Sequence, residues 1–152
     1  MRGSVFWVRS SEFTVLGLEF WEDGRRGRAG MKITKFEDIE SWKEARTLTS
    51  SIYNLTRRAG FSKDYGLKDQ IQRACVSIMA NIAEGFDAGS NKGFVNFLNF
   101  AYRSASEVQS LLYVGLDQSY LEAADFKTNY DEAATVKKLI GGLIKYLKTS
   151  SH

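Results

Sequence analysis

An all-α fold, arranged as an antiparallel up-down-up-down four-helix bundle, is predicted by three observations. The 152 residues contain no proline, the residue least compatible with helix interiors. Four stretches of roughly twenty residues repeat apolar side chains at steps of three and four, the spacing of one helix face. Short polar segments join them, as expected where each helix turns back on the one before it. With 43% hydrophobic and 26% charged residues, the composition is that of a globular domain rather than a disordered chain.

The first thirty residues stand apart from this pattern. They hold five of the thirteen glycines, and Gly24-Arg25-Arg26-Gly27-Arg28-Ala29-Gly30 reads as a basic linker. The apolar run Phe13–Phe20 is too short to cross a membrane, and no cleavage signature follows it. Residues 1–30 are therefore expected to be a flexible extension or leader, with Met31 opening the patterned sequence. A basic arm that docks on nucleic acid is the rival reading. The bundle domain is expected over 31–149, followed by a tail at 150–152.

The first helix is expected from Asp38 to Arg58, with Ile39, Trp42, Ala45, Leu48, Ile52 and Leu55 facing inward. Gly60 supplies a stop, and Arg57 and Arg58 suit the negative helix end. The second runs from Tyr65 to Phe86 on a stripe of Leu67, Ile71, Ala74, Cys75, Ile78 and Ile82. That stripe continues past Gly85, so this glycine serves packing as well as capping. Ser90 or Asn91 can cap the third helix, which runs to Gln118 and is marked by Phe94, Leu98, Ala101, Ala105, Val108 and Leu112. The fourth extends from Glu122 to Leu147, and Gly141-Gly142 inside it implies close contact with another helix or a kink. Phe100, Tyr102, Tyr113, Tyr120 and Tyr146 cannot all face one core, and an apolar surplus on the outside suggests self-association.

The search for chemistry returns absences. The one histidine is residue 152, outside every helix, and the one cysteine is Cys75. Neither a histidine-based catalytic site nor a zinc or di-iron site can be assembled from them, so no metal, no cofactor and no catalytic residue is expected. Cys75 reads as a buried structural cysteine. Gly89-Ser90-Asn91-Lys92-Gly93 looks superficially like an anion loop before a helix N-terminus, but an ordinary turn accounts for it. Arg73, Asn81, Glu84, Arg103 and Glu107 border small residues on the second and third helices. They are expected to form a polar layer of buried or half-buried ion pairs, Arg103 and Glu107 being four apart. Glu84 or Glu107 as a general base is the enzymatic alternative. Arg57, Arg58, Lys63 and Lys68 gather at one loop, and Lys137, Lys138, Lys145 and Lys148 mark the outer side of the fourth helix. These eight are the candidate nucleic-acid contacts, in a chain of net charge only +3.

The segments Gln70-Ile71-x-Arg73-Ala74, Asn81-Ile82-Ala83-Glu84-Gly85 and Ala101-x-x-Ser104-x-x-Glu107, preceded by Phe36-x-x-Ile39-x-x-Trp42-x-x-Ala45, carry a family resemblance. The chain resembles the four-helix bundle proteins encoded in intervening sequences of bacterial 23S ribosomal RNA genes, over about Met31 to Leu147. That family is similar to the accessory protein of diversity-generating retroelements. The resemblance implies a homopentamer with a basic surface, and it gives Arg73, Asn81, Glu84, Gly85, Arg103 and Glu107 architectural or interface roles. The family pattern often places a basic residue shortly after Glu-Gly, where this chain has Phe86, Asp87 and Ala88, with Lys92 the nearest base. The expected function is a non-enzymatic, homo-oligomeric bundle that binds structured RNA or scaffolds a nucleic-acid-binding protein. A protein-interaction scaffold without nucleic acid is the alternative. With no membrane span and no secretory signal, the expected location is the cytoplasm.

Overall fold

The computed structural model describes residues 33–150. The expected extension over 1–30, together with Met31, Lys32 and the last two residues, lies outside the described residues. What is described is all-helical: a 3-10 turn at Phe36–Asp38, then α1 (Glu40–Leu55), α2 (Ala59–Lys63), α3 (Tyr65–Phe86), α4 (Asn91–Asp117) and α5 (Ala123–Thr149). α3 packs on α4, α4 on α5, and α1 on both α3 and α5. One core lies among them, with Leu48, Ile52, Ile71, Ile78, Leu98, Leu112 and Ile140 fully enclosed.

The entry into α1 is tied by Asp38. Its carboxylate accepts from the Thr34 amide at 3.0 Å, the Thr34 hydroxyl at 3.1 Å and the Lys35 amide at 3.3 Å. The bond from the Thr34 amide is the main reason the Asp38 pKa lies below the ordinary carboxylate value.

α1 ends earlier than its sequence pattern suggests. The helix stops at Leu55 rather than Arg58, Arg58 is extended at φ −68° and ψ 150°, and Gly60 lies inside α2 instead of terminating α1. The cause is Phe61. Breaking the helix lets α2 turn this side chain fully into the core, where its ring sits 5.6 Å from that of Tyr120. Burial of a phenylalanine, worth roughly 1.5–3 kcal/mol, outweighs one more turn of exposed helix.

The other helices keep their expected bounds to within about two residues. Asp64 caps α3 by accepting from the Leu67 amide at 3.1 Å, and Ser90 caps α4 by accepting from the Gly93 amide at 3.1 Å. That cap leaves the α4 entry an ordinary turn, with Gly89 at φ +74° supplying the left-handed residue. α4 closes in a Schellman motif: the Tyr120 amide donates to the Gly115 carbonyl at 2.9 Å and the Ser119 amide to Leu116 at 3.0 Å. Ser119 takes the left-handed position, φ 59°, that glycine normally fills.

Two glycines permit close packing. A Cβ at Gly85 would lie 2.7 Å from Phe94 Cδ2 and 2.9 Å from Phe97 Cβ, so α3 and α4 approach here only because no side chain intervenes. At Gly115 it would lie 2.5 Å from Leu121 Cδ2. Gly141 is different. The sequence suggests a close helix contact, yet a Cβ there would meet no atom within 4 Å. Glycine at this position costs helix stability, about 1 kcal/mol relative to alanine, without serving packing in the chain.

Candidate functional site

The α3–α4 junction gathers most of the motif residues. Gly66, Asp69, Gln70, Arg73, Ala74 and Ser77 of α3 and Glu107 of α4 line an open groove of about 510 Å³. Gln70 Nε2 donates to Glu107 Oε1 at 3.2 Å across it. Further along, the Ser77 and Ser104 hydroxyls meet at 2.9 Å, and Asn81 Nδ2 donates to the Ser77 carbonyl at 2.8 Å and to its hydroxyl at 3.1 Å. Two bonds thus bridge the helices, the neutral Ser77–Ser104 pair and the Gln70 bond to the Glu107 carboxylate, while Asn81 bonds back along α3.

The ionic residues do not form the expected buried layer. Arg73 is exposed and pairs along its own helix with Asp69 at 3.5 Å. Glu84 is exposed and lies outside the groove lining. Arg103 and Glu107 do not pair: the Arg103 guanidinium lies 4.7 Å over the exposed Phe100 ring, and Glu107 turns toward Gln70. Desolvating four charges would cost more than their attraction returns, so they stay at the surface while serine and asparagine take the interior positions. Of the six motif residues, Gly85 is buried and Asn81 half-buried. Gln70, Ser77 and Ser104 carry the cross-helix bonds. Their signal was present in the sequence as polar residues at helical spacing beside Asn81 and Glu107.

The basic residues divide between two regions. Arg57 donates to Asn54 Oδ1 at 3.3 Å, and Arg58 pairs with Asp125 at the start of α5. Lys63 is exposed at the end of α2, and Lys68 is half-buried on α3. On α5, Lys137 donates to Gln109 Oε1 at 3.1 Å and sits 4.9 Å over the Tyr102 ring. Lys138, Lys145 and Lys148 are exposed.

A cluster of rings accompanies them on the α4–α5 seam. Tyr113 lies 4.7 Å from Phe126 and 5.8 Å from Tyr130, centroid to centroid. Phe100, Tyr102 and Tyr113 are exposed as the pattern suggests, whereas Tyr146 is buried and Tyr120 half-buried. The Tyr120 hydroxyl donates to Asp64 Oδ2 at 3.2 Å; desolvation, then this bond and the carboxylate charge, raise its pKa.

Cys75 is fully enclosed, and burial pushes its thiol up from 9.0 to about 12, which leaves it protonated and unreactive at neutral pH. Among the described residues, no group of three or more histidine, cysteine, aspartate or glutamate side chains is placed to hold a metal ion. No helix among them is long and apolar enough to cross a membrane.

Comparison with known proteins agrees with the fold. Residues 37–142 match the 23S rRNA-intervening sequence protein family. A crystal structure of a protein of unknown function from the S23 ribosomal protein family of Bacteroides thetaiotaomicron is similar, with a TM-score of 0.65 and 25% identity. The match covers 69% of this chain and 95% of that one. No curated protein sequence matches the chain.

Proposed function

The chain belongs to the 23S rRNA-intervening sequence protein family, and from that premise we propose that it is a non-enzymatic antiparallel four-helix bundle that assembles with copies of itself and binds RNA. The antiparallel arrangement is supported by side chains that meet at opposite helix ends. Gln70, early in α3, bonds Glu107, late in α4. Asn91, at the start of α4, donates to the Leu147 carbonyl near the end of α5. Arg58, just after α1, pairs with Asp125 at the start of α5.

The observation that carries self-assembly is where the exposed large apolar side chains stand. Among the described residues they are Tyr65 and Val76 on α3, and Phe100, Tyr102, Tyr113 and Val114 on α4. Phe100 and Val114, 51% and 41% exposed, lie about 40° apart around α4 and at least about 120° from Tyr102, so they define an association surface that leaves Tyr102 out. Apolar surface concentrated on two adjacent helices is what an association surface requires. The family resemblance implies a homopentamer, and Arg73, Glu84, Arg103 and Glu107 are exposed, as contact with a neighbouring copy requires.

RNA binding draws support from the lysines of α5. The enzymatic alternative keeps one candidate base, since Glu107 lines the groove and Glu84 does not. A protein scaffold without RNA is favoured by one feature, the groove itself, whose lining of both charge signs suits protein side chains.

Light scattering on the full chain tests assembly, with a mass near five protomers expected; a monomer at all concentrations refutes it. Purification from cells with and without nuclease tests the ligand. Retained RNA, released by rising salt, supports RNA binding. A protein partner retained after nuclease, with no RNA in either sample, replaces it with the scaffold.

A further inference from the structure

Two helix halves carry basic charge only. Residues 91–106 contain Lys92 and Arg103, and residues 133–150 contain Lys137, Lys138, Lys145 and Lys148, with no aspartate or glutamate in either stretch. The acids of α4, Glu107 and Asp117, and those of α5, Asp125, Asp131 and Glu132, all belong to the other halves of these helices. The basic halves are paired in space: Asn91 Nδ2 lies 3.3 Å from the Leu147 carbonyl, and Lys137 Nζ lies 3.1 Å from Gln109 Oε1. A chain of small net charge thus sets the carboxylate-free halves of α4 and α5 side by side.

Gly141 stands at the centre of the α5 lysines. At about 100° per residue, all four project within roughly 60° of Gly141, two before it and two after, along about 16 Å of helix axis. No neighbouring helix explains the glycine, because a Cβ there would meet nothing within 4 Å. Bare backbone ringed by ammonium groups allows an anionic chain to approach closely and place its phosphates among them. Tyr102, 38% exposed, borders the patch beneath Lys137.

We propose that this α4–α5 face is the RNA-binding surface and that it takes a single-stranded segment, its phosphates over Gly141 among the four lysines and a base against Tyr102. This deepens the RNA-binding reading and rests on it. A single strand is specified because unpaired bases offer faces for aromatic rings, whereas a duplex stacks them away. A two-fold contact of this face with its own counterpart sets lysine against lysine, which disfavours a symmetric pair of copies here.

The test uses the full chain and a fluorescein-labelled oligouridylate of about twenty nucleotides, read by anisotropy across a salt series. The wild type is expected to prefer the single strand over an RNA duplex of equal length. K138E/K145E should weaken binding at least about tenfold and lower the salt slope by about 1.4, at roughly 0.7 for each phosphate no longer neutralised. G141L should weaken binding several-fold while keeping or raising the melting temperature, because its side chain enters open space. R57E/K63E, at the other basic cluster, should change affinity less than about twofold. RNA binding that survives K138E/K145E and G141L but fails in R57E/K63E overturns the α4–α5 assignment and leaves the RNA-binding reading standing. Equal affinity for strand and duplex overturns the single-strand preference. No RNA binding by the wild type at any salt overturns both readings. Loss of oligomer mass in G141L with unchanged RNA affinity assigns the face to a second copy instead.

Discussion

The hydroxyls of Ser77 on α3 and Ser104 on α4 meet at 2.9 Å, in the row of bonds that Asn81 extends by donating to Ser77. These are neutral groups set between close-packed helices, where charged ones would have to be desolvated. Replacing Ser77 or Ser104 with alanine is expected to cost about 1 kcal/mol each, the usual net worth of such a bond. The double variant should be destabilised less than the two singles together, because the bond they share can be broken only once. Urea unfolding of the four proteins measures this, and simple additivity would contradict a direct interaction.

Ser119 holds a backbone conformation that L side chains resist, with a left-handed cost of roughly 1–2 kcal/mol. Glycine there removes that cost but gains freedom in the unfolded chain, worth roughly 0.5–1 kcal/mol. Ser119→Gly is therefore expected to stabilise the protein by about 0.5–1 kcal/mol, seen as a higher melting temperature. A destabilised variant would mean that the serine side chain is held by some other interaction.

Two helical glycines should respond in opposite directions to alanine. Gly85→Ala places a methyl group 2.7 Å from Phe94 and should destabilise by about 1–3 kcal/mol as α3 and α4 move apart. Gly141→Ala enters open space and should stabilise by up to about 1 kcal/mol. Thermal unfolding of both variants decides it, and the same sign for both would refute the packing account.

Alkaline pH should destabilise the fold through Cys75 and Tyr120. Both ionise to anions, and both have raised folded pKa values, so the unfolded chain loses these protons first. Stability should be intact below about pH 9 and decline as pH rises from 9 toward 12, the window set by Cys75. Cys75→Ala should flatten part of that decline. At pH 8 the native thiol should resist alkylation and react once urea is added.

Much of the helical class was legible because helix faces leave a periodic record, and α3 is bounded by Tyr65 and Phe86 as its pattern suggests. The break after Leu55 was not. It depends on where Phe61 finds a cavity, bordered by Gly115 and Tyr120 far along the chain, and no local pattern encodes that. The site residues were legible as a group but not in their pairing. Arg103 and Glu107 have ideal spacing for an ion pair, yet each has a better neighbour on the folded surface, Phe100 and Gln70. Gly141 suggests, by its place in a helical pattern, a helix contact that the fold does not make.

Asp64 serves two masters with one carboxylate: one oxygen caps the first turn of α3, and the other receives the Tyr120 hydroxyl from the α4–α5 connection. Its partners are 3 and 56 positions away in the chain. Fraying of either junction therefore loosens a partner of the other, which couples local opening of the α3 start to that of the α4–α5 connection by about the net worth of one such bond, roughly 1 kcal/mol.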